Sequence, residues 1–214
     1  MGLGLYVHIP FCVRKCLYCD FNSYPSKEYL IDDYIDAVLK EAGGYKETDI
    51  DTVFIGGGTP TVLSPGQFAR LACGLADIFT LKNGIEFTSE ANPGTLDKEK
   101  IAGLLKSSVN RLSIGAQSMD NRLLKKLGRI HNSVEFIADY EESRRAGFNN
   151  INVDLMFGLP DQTLSDWLST VNDIAEKNPE HISCYGLAVE DGTPFKKMLD
   201  AGKLCLPDED TERK

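Results

Sequence analysis

Apolar and polar residues alternate with a period of two in several short stretches. Leu5, Val7 and Ile9 are interleaved with Tyr6 and His8, and Ile85 and Phe87 with Glu86, Thr88 and Glu90. Leu112 and Ile114 oppose Arg111, Ser113 and Gln117, and Ile151, Val153 and Leu155 oppose Asn152 and Asp154. Between them the period lengthens to that of an amphipathic helix. The pattern predicts strands over 3–9, 51–58, 85–91, 110–117, 150–157 and 181–187. It predicts helices over 27–45, 64–79, 96–108, 121–127, 133–147 and 163–177. Ser64 before Pro65 is an expected N-cap, with proline at the first helical position. Trp167, at helical spacing with Leu164 and Leu168, is expected to pack against the sheet. Strand and helix alternating six times make an α/β fold: a parallel sheet, helices outside, right-handed crossovers.

The alternation also decides what lies inside. A parallel strand buried on both faces reads as a near-continuous apolar run. Here the helices must cover the apolar face, so the polar face points inward. A closed eight-stranded barrel fills its interior with branched apolar layers, and this interior is not apolar. Each buried polar group left unpaired would cost about 1–3 kcal/mol. Two arrangements satisfy these groups. One is an open, curved sheet whose lumen holds a polar ligand; the other is a polar interior closed by its own network and water.

Composition narrows the function. The chain has 214 residues, no internal linker and no repeat of fixed period, and its net charge is −9. An acidic chain without a basic run is a poor binder of nucleic acid or anionic membrane, so no nucleic-acid partner and at most peripheral membrane contact are expected. No apolar run is long enough to span a bilayer, and the N-terminus lacks the pattern of a signal peptide. The expected location is cytoplasmic, where disulfides are disfavoured. Cys73 and Cys184 sit in apolar settings and are expected to be buried, inert thiols.

The chemistry concentrates in "HIPFCVRKCLYCDFNSY". Cys12, Cys16 and Cys19 form a compact C-x3-C-x2-C group after the first strand, where the loops of a βα barrel build the functional face. Thiolates select zinc, copper(I) or iron–sulfur clusters. Structural zinc wants four protein ligands, commonly in two pairs; no second pair follows, so His8 or Asp20 would have to complete it. A cubane cluster normally takes four cysteines, and three leave one iron open to a ligand. His8, His131 and His181 are not expected to bind metal.

The triplet, with aromatic Tyr18 just before its last cysteine, resembles the radical S-adenosylmethionine (SAM) superfamily. "YVHIPFC", "CDFNSY", "FIGGGTPT", "SEANPGTL", "NRLSIGAQSM", "LGRIHN", "DLMFGLPDQT" and "LAVEDGTPF" resemble the oxygen-independent coproporphyrinogen III oxidase family (HemN/HemW), from near residue 6 to near 207. The resemblance implies an open (β/α)6 partial TIM-type barrel with a [4Fe-4S] cluster on Cys12, Cys16 and Cys19. SAM would chelate the open iron and yield a 5′-deoxyadenosyl radical on reduction. Tyr6 and Tyr18 would lie beside the cluster, though lumen packing also accounts for Tyr6. Gly56, Gly57, Gly58 and Thr59 would meet the SAM amino group. Glu90 would accept from the ribose, or pair with Arg111. Arg129 would fork the SAM carboxylate, or sit on the surface as a helix-end cation. Gln117 and Asp154 would point inward, and Ala188 would offer a backbone contact. The family's enzymes hold a second SAM, and the sequence does not assign these residues between the two sites.

Two features depart from the enzymatic pattern. Catalytic members carry a further cysteine two positions after the third ligand; here that residue is Phe21. This resembles the HemW branch, haem chaperones that pass haem to client haemoproteins. The alternatives are an enzyme that decarboxylates coproporphyrinogen III to protoporphyrinogen IX in porphyrin biosynthesis, and a fragment unable to keep its cluster. The implied partners are SAM, haem or porphyrinogen, client haemoproteins and an electron donor. Length is the second departure. Residues 1–206 are expected to form the radical SAM domain and 207–214 the start of a truncated final helix. The family's C-terminal domain, with its H-N-x-x-Y-W segment, is expected to be absent.

Overall fold

A computed structural model describes residues 2–46 and 48–213. Six parallel strands form one sheet: β1 (Leu3–Ile9), β2 (Asp49–Gly57), β3 (Thr80–Ala91), β4 (Arg111–Gln117), β5 (Ile151–Phe157) and β6 (His181–Gly186). They lie side by side in chain order, from β1 at one edge to β6 at the other. Neighbours are parallel throughout, as in Leu5↔Val53 and Asp154↔Ser183. Each strand therefore returns to the same end of the sheet through a crossover that carries a helix. The sheet is open: among the described residues β1 and β6 do not pair with each other. The helices between the strands are α1 (Ile31–Ala42), α2 (Pro65–Ile78), α3 (Lys98–Lys106), α4 (Asn121–Leu127), α5 (Ser133–Ala146) and α6 (Leu164–Ala175). Two short ones follow, α7 (Pro194–Asp200) and α8 (Glu209–Glu212).

The core lies between the outer sheet face and the helices. Val7, Ile9, Val53, Ile55, Phe87, Leu112, Ile114, Ile151, Val153 and Leu155 are all buried there. Ile31, Ile35, Phe68, Leu71, Leu75, Ile101, Leu104 and Phe136 meet them from the helices. Burial of each such side chain contributes about 1.5–3 kcal/mol, so the apolar half of the alternation fixes which face the helices cover. Ser64 caps α2 as expected: its hydroxyl accepts from Gln67 N at 3.2 Å, and Gln67 Oε1 accepts from Ser64 N at 3.0 Å.

Several expectations are corrected. Cys73 and Cys184 are exposed. Cys73 falls on the solvent side of α2. Cys184 shares the outer face of edge strand β6, where no described helix covers it. Strand β3 begins five residues before the alternation does. Its first two residues pair with Asp49 and Ile50, and the register then shifts before Thr52↔Glu86. Lys82, Asn83 and Gly84 occupy that break, with Gly84 at φ +73°, which masks the period of two. Helix α7, begun by Thr193 and Pro194, was not expected. Trp167 does pack inward, 5.6 Å from the Phe157 ring, but Leu168 remains 50% exposed. Helix α8 falls within the acidic terminal stretch; residues 1 and 214, the outer bounds of the expected domains, lie outside the described residues. Among those residues no helix is long and apolar enough to cross a membrane.

Candidate functional site

The loops that follow the strands gather at one end of the sheet, and the cysteine segment folds over that end. Phe11–Cys12 pairs in parallel with Tyr24–Pro25, and Tyr24 N donates to Pro10 O at 2.7 Å. The cysteine loop is thus closed at its base. Its interior is tied to the barrel by Leu17 N donating to Leu127 O at 3.0 Å, and to itself by Cys19 N donating to Cys16 O at 3.2 Å.

Cys12, Cys16 and Cys19 line one cavity beneath this loop. Tyr18, Gly57, Gly58 and Thr59 share it, as do Glu90, Gln117 and Arg129 from the ends of β3, β4 and α4, and Asp154 from the middle of β5. Tyr6 and Ala188 stand apart. The Tyr6 ring stacks on Phe54 with centroids 6.0 Å apart, and its hydroxyl meets His8 Nδ1 at 3.0 Å. Ala188 lines an adjoining space, open to solvent, between β2 and β6, together with Phe54, Arg111, Met156 and Tyr185.

The glycine segment meets the cysteine loop at van der Waals limits. Gly58 N donates to Ile9 O and Thr59 N to Phe11 O, both at 2.8 Å. A Cβ on Gly58 would lie 2.5 Å from Phe11 O and 3.0 Å from Cys12 Sγ. Gly57 has φ +113°, a backbone that favours glycine. The "GGG" of the sequence is thus required by close backbone approach at Gly58 and by conformation at Gly57.

Arg129 reaches the cavity because Gly128 ends α4 in the left-handed conformation, φ 75°. It is not a surface cation. One Nη donates to Cys16 Sγ at 3.5 Å; the other donates to Asn92 Oδ1 at 2.6 Å and Gly115 O at 2.7 Å. Burial works against its charge, but Cys16 and Tyr18 more than offset this and hold the guanidinium cationic. The Thr59 hydroxyl donates to Cys12 Sγ at 3.5 Å. Burial pushes the Cys19 thiol up, and a backbone hydrogen bond from Phe21 opposes it.

Glu90 accepts from Gly57 N at 2.9 Å. The alternative, an ion pair with Arg111, is not among those of the described residues; Arg111 instead donates to Thr88 Oγ1 at 3.3 Å. Burial, opposed by the Gly57 amide and reinforced by nearby Asp154, pushes the Glu90 carboxyl up to about 7. An acid with a folded pKa above its unfolded one contributes stability in full below the unfolded value. That contribution is lost as pH rises through about 7. Glu90→Gln keeps an oxygen for Gly57 N and removes the titration. Thermal melts from pH 5 to 9 should show the variant gaining on the native chain as pH rises from 5 to about 7 and keeping a constant lead above that, by at most about 3 kcal/mol. Parallel curves would refute the burial account.

The lumen is satisfied partly by its own side chains. Asn152 donates to Ser113 Oγ and Asp154 Oδ1, both at 2.7 Å, and Ser113 donates to Asp154 Oδ2 at 3.0 Å. Burial raises the Asp154 pKa against these bonds. The polar strand residues therefore do both things the alternation allowed. On β4–β6 they bond one another, and at the strand ends they face open space. Sequence reasoning missed Asn92 and Gly115. Asn92 lies in the quoted "SEANPGTL", but a single amide after a strand carries no chemical signal until its partners are known.

The donor set suits a thiolate-bound iron–sulfur cluster: three soft ligands share one cavity, and two hydroxyl or guanidinium donors already point at their sulfurs. Among the described residues no group of three or more His, Cys, Asp or Glu side chains is arranged to hold a single metal ion. His131 is buried, and its Nε2 faces Ala116 O at 3.3 Å; His8 and His181 bond neighbouring side chains and backbone.

Comparison with known proteins agrees with this geometry. Several curated proteins named heme chaperone HemW match nearly the whole chain, three of which follow. That of Lactococcus lactis is 42% identical over 205 residues, 96% of this chain and 54% of its own length. That of Bacillus subtilis is 40% identical over 97% of this chain and 56% of its own. That of Escherichia coli is 40% identical over 97% and 55%. The chain thus spans about half the length of these relatives. The solved coproporphyrinogen III oxidase (HemN) from Escherichia coli, described as a radical SAM enzyme, superposes with a TM-score of 0.86. It is 29% identical over 98% of this chain and 49% of its own. The sequence profile of the Radical SAM superfamily matches residues 6–174. With the profile covering most of the chain and the open six-stranded sheet carrying the cysteine loop at its functional end, this chain belongs to the radical SAM superfamily, whose cofactors are a [4Fe-4S] cluster and S-adenosylmethionine.

Proposed function

We propose that this chain is the cofactor-binding part of a haem chaperone of the HemW type. The observation that carries the reading is the likeness to curated HemW proteins along 96–97% of the chain. Phe21 supports it. The residue stands at the rim of both cavities and is 65% exposed, at the position where catalytic relatives carry a thiol.

In this reading Cys12, Cys16 and Cys19 hold the cluster. The backbone of Gly57 and Gly58 admits the amino end of SAM, and Arg129 lies within reach of its carboxylate. Glu90, Gln117 and Asp154 offer acceptors to its sugar and amine groups, with Tyr18 closing one wall. When bound, the cofactors supply one-electron chemistry. The chain's own residues orient them, and the cysteine loop shields them from water. Haem is the cargo of the whole protein, and haemoprotein clients receive it.

The test is a haem titration of the full-length protein. A shifted Soret band with saturable binding supports the proposal; an unshifted spectrum overturns it. An anaerobic assay with coproporphyrinogen III completes the test, and formation of the decarboxylated product would favour the enzymatic reading instead.

A further inference from the structure

One side chain joins two of the cysteines through an unbroken line of hydrogen bonds. From Cys12 the line runs to the Thr59 hydroxyl at 3.5 Å, then to Asn92 Nδ2 at 2.7 Å. It leaves Asn92 through Oδ1, which accepts from Arg129 at 2.6 Å, and ends where Arg129 meets Cys16 Sγ at 3.5 Å. The direction of every bond follows from chemistry. A guanidinium can only donate, so the amide oxygen of Asn92 must face Arg129. Its NH2 must then face Thr59, whose oxygen accepts and whose proton is left free for the Cys12 sulfur.

Asn92 is itself held firmly. It precedes Pro93, which restricts its backbone to extended conformations. Its carbonyl accepts from Thr95 N at 3.1 Å and from the Thr95 hydroxyl at 2.5 Å, and that hydroxyl also meets Thr61 Oγ1 at 2.6 Å. An amide fixed in this way can dictate the orientation of two donors.

We propose that Asn92 is a positioning residue that aims the Thr59 hydroxyl and the Arg129 guanidinium at the sulfurs of Cys12 and Cys16, and thereby sets the reduction potential of the cluster they hold. The inference rests on the proposed ligand role of these cysteines. Hydrogen bonds to cluster sulfurs disperse their negative charge and favour the reduced state, and such outer partners orient ligands as well. Removing the orienting amide should therefore make the cluster harder to reduce.

The experiment is a redox titration, followed by electron paramagnetic resonance, on the anaerobically reconstituted full-length protein. Asn92→Ala and Thr59→Val should each lower the equilibrium constant for cluster reduction about tenfold, a shift of about 59 mV to more negative potential for one electron. Thr59→Ser keeps the hydroxyl and should restore the native midpoint. A merely structural role would not give this pattern of loss and rescue. If Asn92→Ala fails to fold, the nearly isosteric Thr59→Val and its serine counterpart carry the test. Native midpoints in the folded variants, with full iron content, would overturn the proposal. A native protein that takes up no cluster would overturn the ligand reading beneath it as well.

Discussion

Cys16→Ala should abolish the brown absorbance of the anaerobically reconstituted protein and reduce bound iron to background. Three thiolates are the minimum from which the cavity can hold a four-iron cluster with one iron left open. Among the described residues Cys73, Cys184 and Cys205 are exposed, and none of the three lines the cysteine cavity. The loss should be local. Cys16 lies in a loop whose backbone is tied by Leu17 N to Leu127 O and by Cys19 N to Cys16 O, bonds that alanine preserves. Its side chain is only partly buried, so the far-ultraviolet spectrum should stay native. The main structural cost is to Arg129, which loses its sulfur partner but keeps Asn92 and Gly115. Cys73→Ala, at an exposed thiol, should retain colour and iron. Native colour and iron in Cys16→Ala would show that the thiol is not a ligand.

Gly58→Ala should produce the second large effect. The added methyl would lie 2.5 Å from Phe11 O, 3.0 Å from Ile9 O and 3.0 Å from Cys12 Sγ. Two of these atoms are backbone, and the same strands of chain are joined by the bonds from Gly58 N and Thr59 N. Neither side can retreat without breaking them. Overpacking of this kind costs about 1–3 kcal/mol, and each hydrogen bond lost adds about 1 kcal/mol. A destabilisation of about 2–5 kcal/mol is expected in thermal or denaturant unfolding. Iron retention should fall as well, because the displaced segment, from Ile9 to Cys12, carries the first thiol of the triplet. Gly66→Ala is the control: nothing lies within 4 Å of that position, and alanine in the first turn of α2 should be neutral or slightly stabilising. Equal stability of the two variants would refute the close-approach account of the glycine segment.

How far the sequence could be read differs from element to element. The six strands and the covered face were legible because burial repeats with the strand period, as Val7/Ile9 and Ile151/Val153/Leu155 show. The start of β3 was not, since Lys82, Asn83 and Gly84 interrupt the period while the chain still pairs with β2. Cys184 was misread as buried. Its neighbours Ile182 and Tyr185 look like those of a core strand, and only its place at the sheet edge exposes it. A helix surface was the alternative setting for Arg129; the left-handed Gly128 turned it inward.

Residue order alone was enough to specify the α/β class, the compact thiol triplet after the first strand and the polar lining of the lumen. Each is written in local spacing: the period of two, the period of a helix, and soft ligands within one short loop. The folded arrangement alone decided which polar groups answer one another. It made Glu90 a partner of the Gly57 amide rather than of Arg111, and it joined Asn92 to two cysteine sulfurs through Thr59 and Arg129. These contacts span dozens of residues along the chain, and the strength of a hydrogen bond depends on distance and angle in space, which no local spacing encodes.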